Sequence, residues 1–314
     1  MKKIILFLMM IFMLSFKAYA QDDFIIEDNV LLRYNGTDMY VEIPSEVTVI
    51  DKMAFYNRDT IKKLILHSGI EEIRKSAFEK CDNLTEIEGI PSIIGDGAFK
   101  DCVNLKSVPH LSGALQIGDN AFYGCKALTN IELGEELTYL GSNAFYGCGI
   151  TSIKIPYTLE KINSGAFASC LSLKTIEFEE YKNKSITEIG ERAFMNCISL
   201  NSIYTPDTLI TIGPYAFSGS GITRAELNCK SVGEYAFSQC SRLKYLRLSD
   251  ETEKVEKLAF ANCTALNEKY INTDYTIVDD TAFDGCTSLG KINTPIRNEA
   301  LINAYKLWIN MEVE

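Results

Sequence analysis

Residues 94–108 read IGDGAFKDCVNLKSV, and the same pattern returns as IGDNAFYGCKALTNI at residues 117–131 and as IGERAFMNCISLNSI at residues 189–203. Eleven copies align on a phenylalanine: Phe55, Phe78, Phe99, Phe122, Phe145, Phe167, Phe194, Phe217, Phe237, Phe260 and Phe283. Seven of the ten steps between them are 22 or 23 residues, and the extremes are 20 and 27. A fixed period in this range is the mark of a solenoid, whose unit cannot bury its apolar face alone and stacks on its neighbours. Such a body offers a long repeated surface for display.

Each position of the unit has a physical reading. Alanine precedes every repeat phenylalanine, where a methyl group suits close approach of coils. Five residues before the ring stands an aliphatic in every copy, from Ile50 to Val278. The next slot holds glycine six times (Gly95, Gly118, Gly141, Gly190, Gly213 and Gly233), which predicts a turn with positive φ. Apolar residues follow six and nine positions after the ring, and many copies then alternate, as in Ile153-Lys154-Ile155. Alternation predicts a short strand with one buried face. The spacing within AF-x-x-C predicts a short helical or 3₁₀ turn. Eleven of the sixteen phenylalanines form the column, so the aromatic content reads as core.

Nine of the ten cysteines lie three residues after a repeat phenylalanine; only Cys229 is off register. Arg58 fills the slot in the first copy and Ser220 in the eighth. Thiols in one column of coils about 4.8 Å apart point the same way, whereas a disulfide needs side chains turned toward each other. They are expected to be reduced, buried and apolar in behaviour. With no C-x-x-C, no metal or other cofactor is expected.

The start of the chain reads as a secretory signal over residues 1–20: Lys2 and Lys3, an apolar run from Ile4 to Phe16, and Ala18-Tyr19-Ala20. An N-terminal hairpin cap is expected over 21–49, with apolar runs Phe24–Ile26 and Val30–Leu32 and Asn35-Gly36 as its turn signal. The solenoid is expected over 50–294, and a C-terminal helical cap over 295–314. In that cap Ala300, Leu301, Ala304, Tyr305 and Trp308 share a face. The net charge is −11, and Lys2, Lys3 and Lys17 all lie in the leader. This argues against nucleic acid and anionic lipid as partners, and no membrane insertion is expected after cleavage.

The unit I-G-x-x-A-F-x-x-C-x-x-L-x-x-I-x-I, present over about residues 42–294, resembles the repeat of the BspA-like leucine-rich-repeat proteins. The resemblance implies an α/β, β-rich leucine-rich-repeat solenoid of about eleven coils of 20–27 residues. It also implies an exported or surface-exposed protein of adhesion or recognition, with a protein or glycan partner such as host matrix or other cells. It brings no catalytic motif.

His67 and His110, the only histidines, lie beside Ser-Gly in LHSG and PHLSG, and no nucleophile motif accompanies them. An enzyme is not expected. Recognition is expected on outward strand positions, where Tyr204, Tyr245 and Arg247 form an aromatic-cationic group suited to anchoring an interface. The second candidate is the insertion behind the 27-residue step, with Glu179, Tyr181 and Lys182. The competing reading is an envelope or periplasmic spacer without a dedicated ligand.

Overall fold

The structure is a computed structural model that describes residues 23–109, 111–181, 184–271 and 276–289. The leader, the proposed C-terminal cap with Trp308, and His110, Lys182 and Asn293 lie outside the described residues. The chain winds as a β-solenoid of about eleven turns with almost no helix; a three-residue 3₁₀ turn spans Leu111–Gly113.

Two parallel strand layers run along the solenoid. One is a ladder of two-residue strands, such as Glu72–Ile73, Tyr139–Leu140 and Glu188–Ile189, each carrying the aliphatic that stands five residues before the ring. The other consists of three- and four-residue strands, such as Lys63–Ile65, Ser152–Ile155 and Tyr245–Leu248. In both, side chains at equivalent repeat positions pair in register, as Ile162 with Ile189 and Ile212 with Val232. The period-2 alternation buries Leu246 and Leu248 and turns Tyr245 and Arg247 outward.

The rings form one continuous stack. Neighbouring repeat phenylalanines have centroids 4.7–5.5 Å apart with interplanar angles of 1–17°. This is the offset-stacked arrangement that ring quadrupoles favour. Phe55 through Phe260 are fully buried, and burying one such ring per coil stabilises by about 1.5–3 kcal/mol. The alanine before each ring is buried, and its carbonyl accepts the N–H of the preceding coil's ring residue, as Phe145 N to Ala166 O at 2.8 Å.

The AF-x-x-C stretch is not helical. In the second coil the N–H groups of Ala77, Glu79 and Cys81 donate three residues back, to Arg74, Ser76 and Phe78. Those of Ser76, Phe78 and Lys80 instead donate to the third coil. A helix would keep every N–H for itself; here alternate ones build linked β-turns and bind the neighbour. The turns need left-handed residues two before and two after the ring, as Ser76 (φ 55°) and Lys80 (φ 61°), or Arg192 (φ 55°) and Asn196 (φ 60°).

The glycines four residues before the ring therefore have a different cause from the one expected. Their φ is not positive; the slot is crowded by the preceding coil. A Cβ on Gly141 would lie 2.4 Å from Asp119 N. Asp51 and Arg74 fill this slot in the first two coils and pair at 3.0 Å.

At the N-terminal end, antiparallel strands Phe24–Glu27 and Val30–Tyr34 join through Asp28 (φ 49°) and Asn29 (φ 64°), a tight hairpin turn with both central residues left-handed. The turn is there and not at Asn35-Gly36. Tyr34 stacks on Phe55 at 5.1 Å and Phe24 meets Tyr34 at 4.9 Å, so the hairpin extends the ring column.

Two outcomes follow from the column. Phe145→Ala is expected to lower the unfolding free energy by about 3–5 kcal/mol in urea titrations, through lost burial and the cavity left behind. Cys170→Ser is expected to be less damaging than Cys170→Val in the same titration. The hydroxyl retains a donor for the Phe145 carbonyl, while valine forfeits a bond worth about 1 kcal/mol.

Candidate functional site

The groups most able to do chemistry are built into the scaffold. All ten cysteines are free and buried. Each in-phase thiol donates to the carbonyl of the preceding coil's ring residue, as Cys125 Sγ to Phe99 O at 3.2 Å and Cys240 Sγ to Phe217 O at 3.1 Å. Ser220 makes the same bond to Phe194 O at 3.0 Å, and Arg58 reaches Tyr34 O at 2.6 Å in the first coil. Burial pushes most of the thiols up, to about 12 at Cys81, Cys170 and Cys240, and so keeps them protonated at neutral pH, whereas a hydrogen bond with Cys263 lowers Cys286 at the C-terminal end of the column.

His67 is also committed. Its Nδ1 accepts the Gly69 N–H at 3.1 Å and its Nε2 donates to Pro44 O at 3.1 Å. The imidazole thus staples two coils together. Among the described residues no three His, Cys, Asp or Glu side chains are grouped to hold a metal ion.

The outer face of the broader strand layer is different. Its last four strands among the described residues are Ser202–Tyr204, Arg224–Leu227, Tyr245–Leu248 and Glu268–Ile271, in that order. Parallel register aligns two rows of outward side chains. One runs Tyr204, Glu226, Arg247, Tyr270; the other runs Ser202, Arg224, Tyr245, Glu268. Tyr204, Tyr245 and Arg247 thus share one face. Arg224 lies over the Tyr245 ring at 3.8 Å and holds Glu226 through Nε at 2.8 Å and Nη2 at 2.7 Å. The hydrogen bond to Glu226 raises the Arg224 pKa further. Tyr245 and Tyr270 rings meet at 5.5 Å. Tyr204 and Tyr270 are about half exposed, at 54% and 50%.

Arg224 and Tyr270 join the group although the sequence pattern did not single them out. Tyr270 was hidden because Lys269 occupies the inward slot that is aliphatic in other coils; its ammonium sits 4.6 Å from the Phe283 ring centre. At the C-terminal ends of these strands lies a cleft of about 280 Å³, lined by Asp207, Ile210, Asn228, Lys230, Ser249 and Glu251. Asn228 Nδ2 donates to Asp207 Oδ1 at 2.8 Å and fixes the cleft's polar edge.

The insertion is more closed. Glu179 is ion-paired to Lys154, and its N–H donates to Ile155 O at 2.9 Å. Tyr181 and Lys184 exchange backbone bonds at 3.0 and 2.9 Å, and the Tyr181 ring tilts against Tyr157 at 5.0 Å. Glu179 and Tyr181 follow the strand Thr175–Phe178, which pairs with Ser152–Ile155 in a separate two-stranded sheet.

A family model for the BspA type leucine rich repeat region matches in six copies, over residues 33–108, 92–223 and 180–290. Among solved structures, a leucine rich cell surface protein from Faecalibacterium prausnitzii A2-165 is similar at 23% identity and TM-score 0.50, with 88% of this chain and 94% of that one covered. The T. pallidum leucine rich repeat protein is similar at 25% identity and TM-score 0.52, over 62% of this chain and 92% of that one. A leucine-rich repeat protein from Bacteroides ovatus is similar at 23% identity and TM-score 0.53, over 85% and 81%. No curated protein matches the chain.

The thiol environment sets a pH window. A thiol pKa raised from 9.0 to about 12 on folding favours the folded state fully below about pH 9. That contribution is lost as pH rises from about 9 to about 12. Native protein at pH 8 is expected to leave the buried thiols unlabelled by an aromatic disulfide reagent, with full labelling after unfolding in guanidinium.

Proposed function

This chain belongs to the BspA-type leucine-rich-repeat family, and from that premise we propose that it is an exported, non-catalytic recognition protein binding a protein or glycan partner through the outer face of its last coils. Members of this family are typically exported or surface-exposed. The leader pattern of residues 1–20 supports export. No helix among the described residues is long and apolar enough to cross a membrane.

The observation that carries the reading is the group Tyr204, Arg224, Tyr245, Arg247 and Tyr270 on one rigid face. Tyrosine and arginine anchor interfaces because each offers a large contact area with a polar end. The hydrogen-bonded ladder beneath fixes their spacing, so little ordering entropy is lost on binding. The candidates Glu179, Tyr181 and Lys182 stand as a second contact region on the insertion.

The test is binding of the purified mature chain to immobilised matrix proteins, mucin and glycans. At least one is expected to bind, and the Tyr204→Ala/Arg247→Ala double variant is expected to bind it about 30-fold more weakly, the loss of a ~2 kcal/mol anchor. Uniform absence of binding rejects recognition in favour of a spacer.

A further inference from the structure

We propose that this face binds an acidic oligosaccharide, with a uronate carboxylate on Arg247 and sugar faces against Tyr204 and Tyr270; the proposal rests on the recognition reading above. Its first support is charge. Four cations occupy outward positions of the broader strand layer: Lys63, Lys154, Arg224 and Arg247. Lys63 is bridged to Glu86 and Glu88, Lys154 to Glu179, and Arg224 to Glu226. Of these four, Arg247 alone makes no ion pair, and it is exposed. Its register neighbour Glu226 is already held by Arg224. Arg242 and Lys244, both exposed, lead into the same strand. The strand that carries Arg247 thus brings three cations, and of the two acids on this face Glu226 is bridged while Glu268 stands in the other row; Arg247 is left to meet an anionic ligand at short range. A guanidinium matches a carboxylate in a planar, two-bond fork.

The second support is size. The row from Tyr204 to Tyr270 crosses four strands, about 14 Å at ~4.8 Å per strand, and the two rows are about 7 Å apart along the strand. That is on the order of 100 Å², far below the ~800 Å² per partner of a stable protein interface. A linear trisaccharide laid along the solenoid axis is narrow enough to follow one row of side chains across these strands. Exposed tyrosine rings offer apolar faces to the C–H faces of sugars. The cleft at the strand ends adds Asp207, Asn228 and Ser249, whose polar groups suit sugar hydroxyls.

Calorimetric titration of the purified mature chain with trigalacturonic acid tests this. Wild type is expected to bind the free acid, and Arg247→Gln to bind it about 10- to 100-fold more weakly, the range for losing a charged hydrogen bond. The methyl-esterified trisaccharide is expected to bind wild type as weakly as the free acid binds the variant, and Lys154→Gln to bind like wild type. No binding of the free acid, or equal binding by Arg247→Gln, overturns the proposal. Binding of a purified matrix protein that is lost in Tyr204→Ala, together with no trigalacturonate binding, overturns it while leaving the broader recognition reading standing.

Discussion

Between Phe55 and Phe260 every repeat phenylalanine is tied to the following coil in three ways: its ring stacks on the next ring, its N–H reaches the next alanine carbonyl, and its own carbonyl accepts a thiol or hydroxyl from that coil. The last of these explains why the slot holds cysteine. The carbonyl has two lone pairs, and the N–H three residues later in the same coil takes only one, as Cys148 N does at Phe145 O. A small, weakly polar donor supplies the second partner without wetting the interior. Serine can substitute, as Ser220 shows, and so can a long arm from outside, as Arg58 shows. The two strand layers and the outer face are all positioned by this axis.

The period, the ring column and the inward aliphatics were legible in the sequence because burial imposes them on every coil. Other features were not. The separation of Phe78 and Cys81 fits a helical turn, but it fits two linked β-turns equally, and only the destination of alternate N–H groups separates them. Glycine signals either a left-handed backbone or a lack of space. At Gly141 it is space, while the left-handed positions are shared between glycines such as Gly97 and Gly147 and residues such as Met53, Arg192 and Leu258, which carry no such signal. Gly36 is a further case of crowding: a Cβ there would meet Tyr34 Oη at 2.4 Å, so it makes room for the capping ring. The outward triad was readable from alternation alone, but Tyr270 was masked by the lysine before it.

The face around Arg247 also departs from the economy of the rest. Elsewhere on this layer charges are paired across neighbouring strands, as Lys63 is with Glu86 and Glu88. Exposed pairs of this kind add little stability, but they leave a neutral, self-satisfied surface. In these coils aromatic rings join the acids beside the cations: Arg224 holds Glu226 and is layered on Tyr245, and Arg247 stands between Glu226 and Tyr270 without an ion pair. A surface that is satisfied along most of its length and open at one end concentrates any recognition there.

The thiol-to-carbonyl bonds all point one way, from each coil back to its predecessor. Every internal coil therefore presents the same acceptor on one side and an equivalent donor on the other, whatever its repeat length between 20 and 27 residues. Gain or loss of a whole coil leaves every remaining junction matched. The length of such a protein can drift by gene duplication without new design, and only its two end pieces are bespoke.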